Sequence, residues 1–523
     1  MFAKANSSCI LGLDAIPVDV EVHMRTGEHT KFTILGLGGA AVRESRDRIL
    51  TAVAQSGFDL PEVIIVNLAP AEIRKESVAF DLPIALALAC AAGGIPQPAL
   101  EKVLAVGELS LTGEVKATPG LTAHALAAAQ AGFSYVMVPE ATASEAAVVQ
   151  GIKVIGVRSL PQAIRILKGE ERPQYCEPCA VERTAAAKTL DDVMGQGPAK
   201  RALAIAAAGS HNLLMIGPPG CGKSMLAERL SSLLPPLTHN EVLEVLRIHS
   251  IAGQDTAAIL AGLRPFRSPH YVISDAGLIG GGSFPRPGEV SLAHRGVLFL
   301  DEFPEFRRGT IEAMRSPLET GWVQVARARA SINYPARFQL IAAMNPCPCG
   351  RFGTTAGGCR CSHHAVRDYV ARLSQPILDR IDLHVELEAV EVDDLVWSQA
   401  ARTAGASTTL SQVLAARERQ LSRNGVLNAE VLDATLRSQT KITHSARTLM
   451  SEAMKKLGMS ARGYTRVLRV AVTIADLAEG SELTDEIVAE AISYRSLDRL
   501  TNLLHHGTPF SGGRMRRGLS ASA

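Results

Sequence analysis

Gly217-Pro218-Pro219-Gly220-Cys221-Gly222-Lys223-Ser224 decides how this 523-residue chain folds. It follows directly on the apolar run Asn212-Leu213-Leu214-Met215-Ile216. The order is therefore buried strand, glycine-rich turn and helix, the context in which a G-x-x-x-x-G-K-[ST] match carries its chemistry. Gly217, Pro218, Pro219, Gly220, Cys221 and Gly222 form a turn whose backbone N–H groups converge on phosphate oxygens. The helix that starts near Ser224 adds the partial positive charge of its N-terminus. Lys223 is placed to reach the β- and γ-phosphates, and the Ser224 hydroxyl to ligate Mg²⁺. The stretch predicts a nucleoside triphosphate site.

Downstream, Val297-Leu298-Phe299-Leu300-Asp301-Glu302 is an apolar strand ending in two acids. Carboxylates at the carboxyl end of a strand stand where α/β sheets bind ligands. Asp301 suits the Mg²⁺ shell, through Ser224 or water, and Glu302 suits the orientation and polarisation of an attacking water. A third strand, residues 338–344, ends in Asn345, which either holds that water or the γ-phosphate, or caps the turn before Pro346. Arg380, in Leu378-Asp379-Arg380-Ile381-Asp382-Leu383, opens a further predicted strand. An arginine acting on a neighbouring subunit's γ-phosphate stabilises transition-state charge and makes hydrolysis depend on a ring.

Hydrophobic content of 47% and charged content of 20% describe a soluble globular chain, long enough for two to four domains. A net charge of +2 gives no global nucleic-acid signal, so any basic surface is local. The longest apolar run, residues 82–95, is too short for a bilayer and follows Asp81. The N-terminus lacks a signal-type pattern and cysteine usage is of the reduced type, which predicts the cytoplasm and no membrane partner. Aromatic content of 4% leaves few platforms for stacking bases, so nucleic-acid binding would be mainly to the backbone.

Three blocks separate by pattern. Residues 1–165 mix β-rich runs (18–24, 31–35, 63–68, 103–106, 135–138, 154–157) with Ala-rich helical stretches at 41–56 and 121–131, as one α/β or α+β domain. Residues 166–187 read as a charged, Pro-containing linker. Residues 188–395 carry the P-loop and its partners. Residues 396–505 are helix-patterned, at 411–424, 429–437, 441–457, 460–478 and 485–492, and predict a helical lid. Residues 506–523 are Gly/Ser/Arg-rich and read as a disordered basic tail, in which Arg514, Arg516 and Arg517 are more simply solvated than phosphate-bound.

Two inserts interrupt the core. Residues 266–270 and 278–288 form a glycine- and proline-rich insert containing Arg286. Residues 322–332 alternate with period two and read as a hairpin carrying Arg327 and Arg329 on one face. Arg286, Arg327 and Arg329 are candidates for gripping a DNA phosphate backbone, against the alternative of a solvated edge hairpin. Cys347, Cys349, Cys359 and Cys361 fall in Cys-Pro-Cys-Gly…Cys-Arg-Cys, two pairs across a short loop that can supply four thiolates to one structural Zn²⁺. A redox-active thiol set is the alternative, and His363 or His364 could replace one ligand. Cys176 and Cys179, a lone C-x-x-C, lack a second pair.

Taken together, the motifs resemble the AAA+ ATPases, and the resemblance implies ATP and Mg²⁺ as cofactors. Residues 217–224 match Walker A, 297–302 Walker B, Asn345 sensor 1 and Arg380 the arginine finger. Arg462, in Ser460-Ala461-Arg462-Gly463-Tyr464, matches the sensor 2 arginine, with Arg466 and Arg469 as alternatives on the same helix. Gly195-Gln196, Lys200-Arg201-Ala202-Leu203, His211-Asn212-Leu213-Leu214 and residues 287–296 (PGEVSLAHRG) narrow the likeness to magnesium-chelatase-like ATPases. Asn67-Leu68-Ala69-Pro70, Arg74-Lys75-Glu76 and residues 80–85 (FDLPIA) narrow it to the YifB/ComM family, over about residues 5 to 505. Tyr271 and Val272 depart from that family's usual His and Thr. The implied fold class is α/β: an AAA+ P-loop core with a helical lid, after a Lon-protease-like, ribosomal-S5-like α+β domain. Residues 106–115 (VGELSLTGEV) carry the Lon likeness, yet Ala79 and Thr122 stand at its nucleophilic Ser and Lys positions. Ser77 and Lys75 are near in sequence but do not make a dyad, so the domain is expected to be non-proteolytic.

The family resemblance implies a homo-hexameric DNA motor, a helicase or branch-migration factor acting on branched, single- or double-stranded DNA and serving DNA integration in natural transformation or recombination. The alternatives are a chelatase-type subunit, an ATP-dependent protease or a protein-remodelling ATPase. The fused N-terminal block and cysteine cluster argue against the first, and the missing dyad against the second. The last stays open because nucleotide motifs report the fuel rather than the cargo.

Overall fold

Small side chains conceal the strand on which the N-terminal fold is built. Phe2–Leu11 (β1) alternates Ala3, Ala5, Ser7 and Cys9 into the interior. It turns through Gly12-Leu13 onto Asp14–Arg25 (β2), antiparallel from Leu11↔Asp14 to Phe2↔His23. The two-residue turn needs a left-handed residue, and Gly12 supplies it at φ +69°.

The computed structural model describes residues 1–27, 29, 31–75, 77–178, 189–193, 195–282, 285–327, 330–352, 358–388, 406–457 and 459–495. Contacts divide the chain into two units, one of Met1–Arg183 with Leu237–Leu263 and Ile332–Tyr334, the other of the remainder.

In the first unit, β1 and β2 join Lys31–Leu35 (β3), Val63–Ala69 (β4), Val103–Ala105 (β5), Tyr135–Pro139 (β6), Lys153–Val157 (β7) and Tyr175–Cys176 (β8). They form one mixed sheet in the order β8-β7-β6-β5-β1-β2-β4-β3. The helix Asp81–Ala91 is apolar all round after Asp81 and is buried along its whole length, as such a helix must be.

Two sequence boundaries shift here. Residues 166–187 are not a linker throughout. The helix Leu160–Lys168 runs into them and ends on left-handed Gly169. Tyr175 then returns to the sheet opposite Ile155, stacked on Tyr135 with ring centroids 6.1 Å apart. Residues 237–263, expected in the ATPase core, belong to the first unit. Thr238 and Glu241 form a capping box at the start of the helix His239–Ile251, whose Val242, Val245 and Leu246 pack with Ile259 and Val148. Ser250 and Thr256 donate to Glu145. An amphipathic helix announces an apolar face but not the surface that receives it.

The second unit holds Leu213–Ile216 (β9), Phe266–Arg267 (β10), Val297–Leu300 (β11), Gln339–Met344 (β12) and Leu383–Glu386 (β13). Their order is β10-β11-β12-β9-β13 and every pairing is parallel. All carboxyl ends therefore open on one edge, where such sheets place their ligands. β9, β11 and β12 are buried at every residue, as strands covered on both faces are.

Among the described residues, five α-helices follow, Ala406–Asn424, Asp433–Gln439, His444–Leu457, Ala461–Leu477 and Asp485–Ser493. Val413, Val467, Leu468 and Ala471 share one apolar cluster with Leu213 and Met215 of β9. Residues 396–405 and the 506–523 tail lie outside the described residues. Among the described residues, no helix is long and apolar enough to cross a membrane.

A buried charge joins helices to sheet. The Asp382 carboxylate, just before β13, accepts from Arg466 and pairs with His211 Nδ1 at 3.1 Å, while His211 Nε2 meets Thr473 Oγ1 at 2.8 Å. Burial alone would raise this carboxyl, but Arg466 and His211 outweigh it and hold it below the ordinary carboxylate range. A depressed folded value stabilises above the unfolded value, near pH 4, and is lost as pH falls towards the folded one. Asp382→Asn should therefore flatten the acid limb of the melting-temperature profile. Arg466→Met, which strands the carboxylate, should destabilise by about 3 kcal/mol at neutral pH in calorimetry.

Candidate nucleotide site

The loop after β9 and the ends of β11 and β12 bring the sequence-predicted residues together. The loop curls through Gly220 at φ +78° and Gly222 at φ +91°, left-handed conformations that glycine adopts without penalty. A methyl group built on either would meet nothing within 4 Å, so the concave side of the turn is open to phosphate. Gly217 is closed instead, since a methyl there would lie 2.8 Å from Cys221 Sγ and 2.9 Å from Leu387. Gln196, at the start of the helix Gly197–Gly209, props the loop by donating to the carbonyls of Cys221 at 3.3 Å and Glu388 at 2.8 Å.

Lys223 opens the helix Lys223–Leu230. Its Nζ donates to the Gly217 carbonyl at 2.7 Å, the Pro218 carbonyl at 2.9 Å and Asn345 Oδ1 at 3.1 Å. Burial lowers the affinity of this ammonium for its proton, opposed by Cys221, Asp301 and Glu302. Asn345 is thus turned into the site, at the end of the strand lying between those of the P-loop and the acids. The Ser224 hydroxyl donates to Asp301 Oδ2 at 2.7 Å. One hydroxyl and one carboxylate at contact distance are a donor set that suits Mg²⁺, which keeps several of its waters.

Glu302 follows in a left-handed conformation, φ 51° and ψ 43°, with its N–H on Asp301 Oδ1 at 2.9 Å. For a non-glycine residue this costs roughly 1–2 kcal/mol, and such conformations cluster at functional sites. Tyr369, on the helix His363–Ala371, is a site residue that sequence reasoning missed. Its phenol is pushed up to about 12 by burial and by nearby Glu305, while its oxygen accepts from the Asn345 backbone. No linear motif marks it.

Arg380 does not open a strand. It sits in the turn after the helix Gln375–Leu378, where its guanidinium donates to Glu319 Oε2 at 2.7 Å and the Pro376 carbonyl at 2.6 Å. Arg380, then Arg462 and Arg315, hold the Glu319 carboxyl below its ordinary range. Arg462 is exposed at the start of its helix. The two alternatives to it are engaged elsewhere, Arg466 on Asp382 and Arg469 on Asp433 at 2.8 Å. Glu319 thus holds the predicted finger, and the predicted sensor 2 arginine contributes only its charge at longer range.

The two inserts meet. Gly280–Gly281 pairs with Arg286–Pro287, and Trp322–Arg327 with Ala330–Pro335. A methyl on Gly280 would lie 3.0 Å from Val325, and one on Gly281 3.0 Å from the Arg327 guanidinium. Exposed Arg286 and Arg327 therefore flank the same glycine pair, since Arg286 is the strand partner of Gly281. The hairpin is not solvated on both faces, because Val323 and Val325 are buried. Arg329 lies outside the described residues.

The sulfurs of Cys347, Cys349, Cys359 and Cys361 lie within 4.8 Å of one another. His364 turns away to Asp368, at 2.7 Å. Cys179 lies outside the described residues.

Comparison with known proteins places these features in a family. Residues 189–395 match the family "Magnesium chelatase, subunit ChlI", residues 20–142 "Subunit ChlI of Mg-chelatase", and residues 404–495 "Magnesium chelatase, subunit ChlI C-terminal". YifB of Salmonella typhimurium is 40% identical over 507 residues, covering 96% of this chain and 98% of YifB. The competence protein ComM of Haemophilus influenzae is 39% identical over 504 residues, covering 95% and 98%. The magnesium-chelatase 38 kDa subunit of Rhodobacter capsulatus is 28% identical over 172 residues, covering 29% of this chain and 49% of that subunit.

Mg·ATP at one hundred times its Kd should stabilise the chain by about 2.7 kcal/mol, read as a rise in melting temperature. Lys223→Ala, which removes the cation facing the phosphates, should erase most of that rise, measured against the variant's own nucleotide-free melt. An undiminished rise would place the nucleotide elsewhere.

Proposed function

The chain belongs to the YifB/ComM family of magnesium-chelatase-like AAA+ ATPases, and from that premise we propose that it is an ATP-driven DNA motor. It would act in the cytoplasm as a homo-hexamer, moving branched DNA during recombination or the integration of incoming strands. The observation that carries the reading is the pairing of two separate assemblies in one unit: Lys223 bonded to Asn345 and Ser224 to Asp301 at the carboxyl ends of the strands, and two basic inserts packed together at Gly280–Gly281. The likeness to ComM, whose name refers to competence, supports DNA as the cargo in this reading.

ATP binds with its phosphates in the turn of residues 217–222 and against Lys223. Ser224 and Asp301 would hold Mg²⁺, which neutralises phosphate charge when bound. Glu302, carried outward by its left-handed backbone, orients the attacking water. Asn345, already tied to Lys223 Nζ, reports the γ-phosphate. Arg380, held by Glu319, acts on the γ-phosphate bound by a neighbouring subunit, and Arg462 serves as the sensor 2 arginine of the lid. Helices 406–495 serve as the lid, and its movement shifts Arg286 and Arg327 along a phosphate backbone. Zinc on the four cysteines completes the cofactor set.

The N-terminal unit is Lon-like and non-proteolytic in this reading. Ala79 and Thr122 are buried, and the Thr122 hydroxyl donates to the Glu145 carbonyl at 3.2 Å. Ser77 caps the Ala79 N–H at 3.1 Å. Buried Lys75 is consumed by the carbonyls of Gly36, Leu68 and Pro70.

On labelled Holliday-junction and three-stranded substrates, the chain with Mg·ATP should drive branch migration, and Lys223→Ala and Glu302→Gln should each abolish it. ATP hydrolysis without any movement or stimulation by DNA would favour a protein-remodelling or chelatase-like role instead. In a salt titration of DNA binding, Arg286→Ala and Arg327→Ala should each weaken affinity without regard to sequence and reduce the slope against log salt by roughly one.

A further inference from the structure

The four-cysteine cluster stands at the carboxyl end of β12, and its two halves come from the two segments that fix Asn345. Cys347 and Cys349 follow Asn345 directly. Cys359 and Cys361 precede Ser362, whose hydroxyl caps the helix His363–Ala371 by accepting from Ala365 N–H at 3.2 Å. That helix carries Tyr369 to the Asn345 backbone.

The sulfur geometry fits one metal ion. Cys347–Cys349, Cys349–Cys359 and Cys347–Cys359 are 3.3, 3.7 and 3.8 Å apart. Four sulfurs about 2.3 Å from a tetrahedral zinc stand roughly 3.8 Å from one another. A disulfide would bring two of them to about 2.05 Å, and a polynuclear iron–sulfur cluster would spread them beyond the 4.8 Å within which all four fall. Tetrahedral thiolate coordination of a single ion suits zinc, and elemental analysis separates it from a mononuclear iron.

The loop also rests on the nucleotide site. Gly350 closes the turn by donating its N–H to the Cys347 carbonyl at 2.9 Å, with φ +74°. It is buried, and a methyl placed there would sit 2.6 Å from Cδ of Pro219 in the P-loop. The contact therefore requires glycine for both its backbone angle and its closeness.

We propose that the four cysteines bind one structural zinc and that this zinc clamps the nucleotide site, holding Gly350 against Pro219 and keeping Asn345 in register with Lys223. The zinc is neither catalytic nor part of the DNA grip. Its effect on turnover rests on the ATPase reading above; its presence does not.

The test uses the full chain purified without chelator. Elemental analysis should find about one zinc per chain, and cobalt exchanged into the site should give the visible bands of tetrahedral thiolate coordination, shifting when Mg·ATP binds. Cys361→Ser should lose the metal and lower kcat by about tenfold or more, with Mg·ADP affinity little changed, because Asn345 faces the γ-phosphate. Gly350→Ala should keep its zinc and still lose turnover, since it leaves all four thiolates in place while disturbing the turn and its contact with Pro219; it serves even if Cys361→Ser does not fold. Wild-type protein without zinc overturns the site. Zinc present, with full kcat in Gly350→Ala and cobalt bands indifferent to Mg·ATP, overturns the clamp. A zinc-loaded wild type that hydrolyses no ATP overturns the ATPase reading alone, and the cobalt response then decides the clamp.

Discussion

A carboxylate denied water holds the ATPase unit together. Asp382 could not remain charged in the interior without Arg466 and His211, and those partners come from a helix after the sheet and from the residue before Asn212. Satisfying one charge therefore fixes three pieces of chain. Asn212 extends the constraint: its side chain donates to the Arg380 carbonyl at 2.8 Å and accepts from Leu340 N–H at 2.8 Å. Gln339, at the start of β12, donates to the carbonyls of Ala206 and His211. With the amino ends of β9, β12 and β13 locked in this way, their carboxyl ends have no freedom of register. Lys223 and Asn345 meet because of what happens at the opposite edge of the sheet.

The candidate nucleotide site could be read from sequence because each of its parts is local. A parallel strand buried on both faces is an unbroken apolar run, and a phosphate-binding turn writes its backbone angles as glycines. Val297–Leu300 is where its composition predicts, and so are Ala461–Leu477 and the helices around it. β1 was hidden because Ala and Ser fill its inward positions, where strands more often carry branched or aromatic residues. The helix Asp81–Ala91 was noticed only as an apolar run too short for a bilayer, since uniform apolarity carries no period.

What stayed illegible depends on partners distant in sequence. Tyr369 earns its place beside Asn345 through a helix whose docking no spacing announces. Asp382 and Arg466 look like any acid and any base until the fold buries them together. Arg380 was singled out from its motif, but Glu319, which accepts from it, lies in a helix with no motif. The first unit makes the same point with Lys75. Read from sequence it invites comparison with a catalytic lysine, and in the fold it spends all its donors on three backbone carbonyls.

Glu145, Ser250 and Thr256 have a further consequence, for the order in which the chain matures on the ribosome. The first 183 residues emerge well before Leu237–Leu263, so the first unit must wait, with the Glu145 carboxylate and the apolar positions around Val148 uncovered, while the P-loop is synthesised. Neither unit is a contiguous stretch of the gene, and a cut near residue 183 would leave the first unit short of residues 237–263, which hold part of its core. The two units are obliged to mature together, as one translation product.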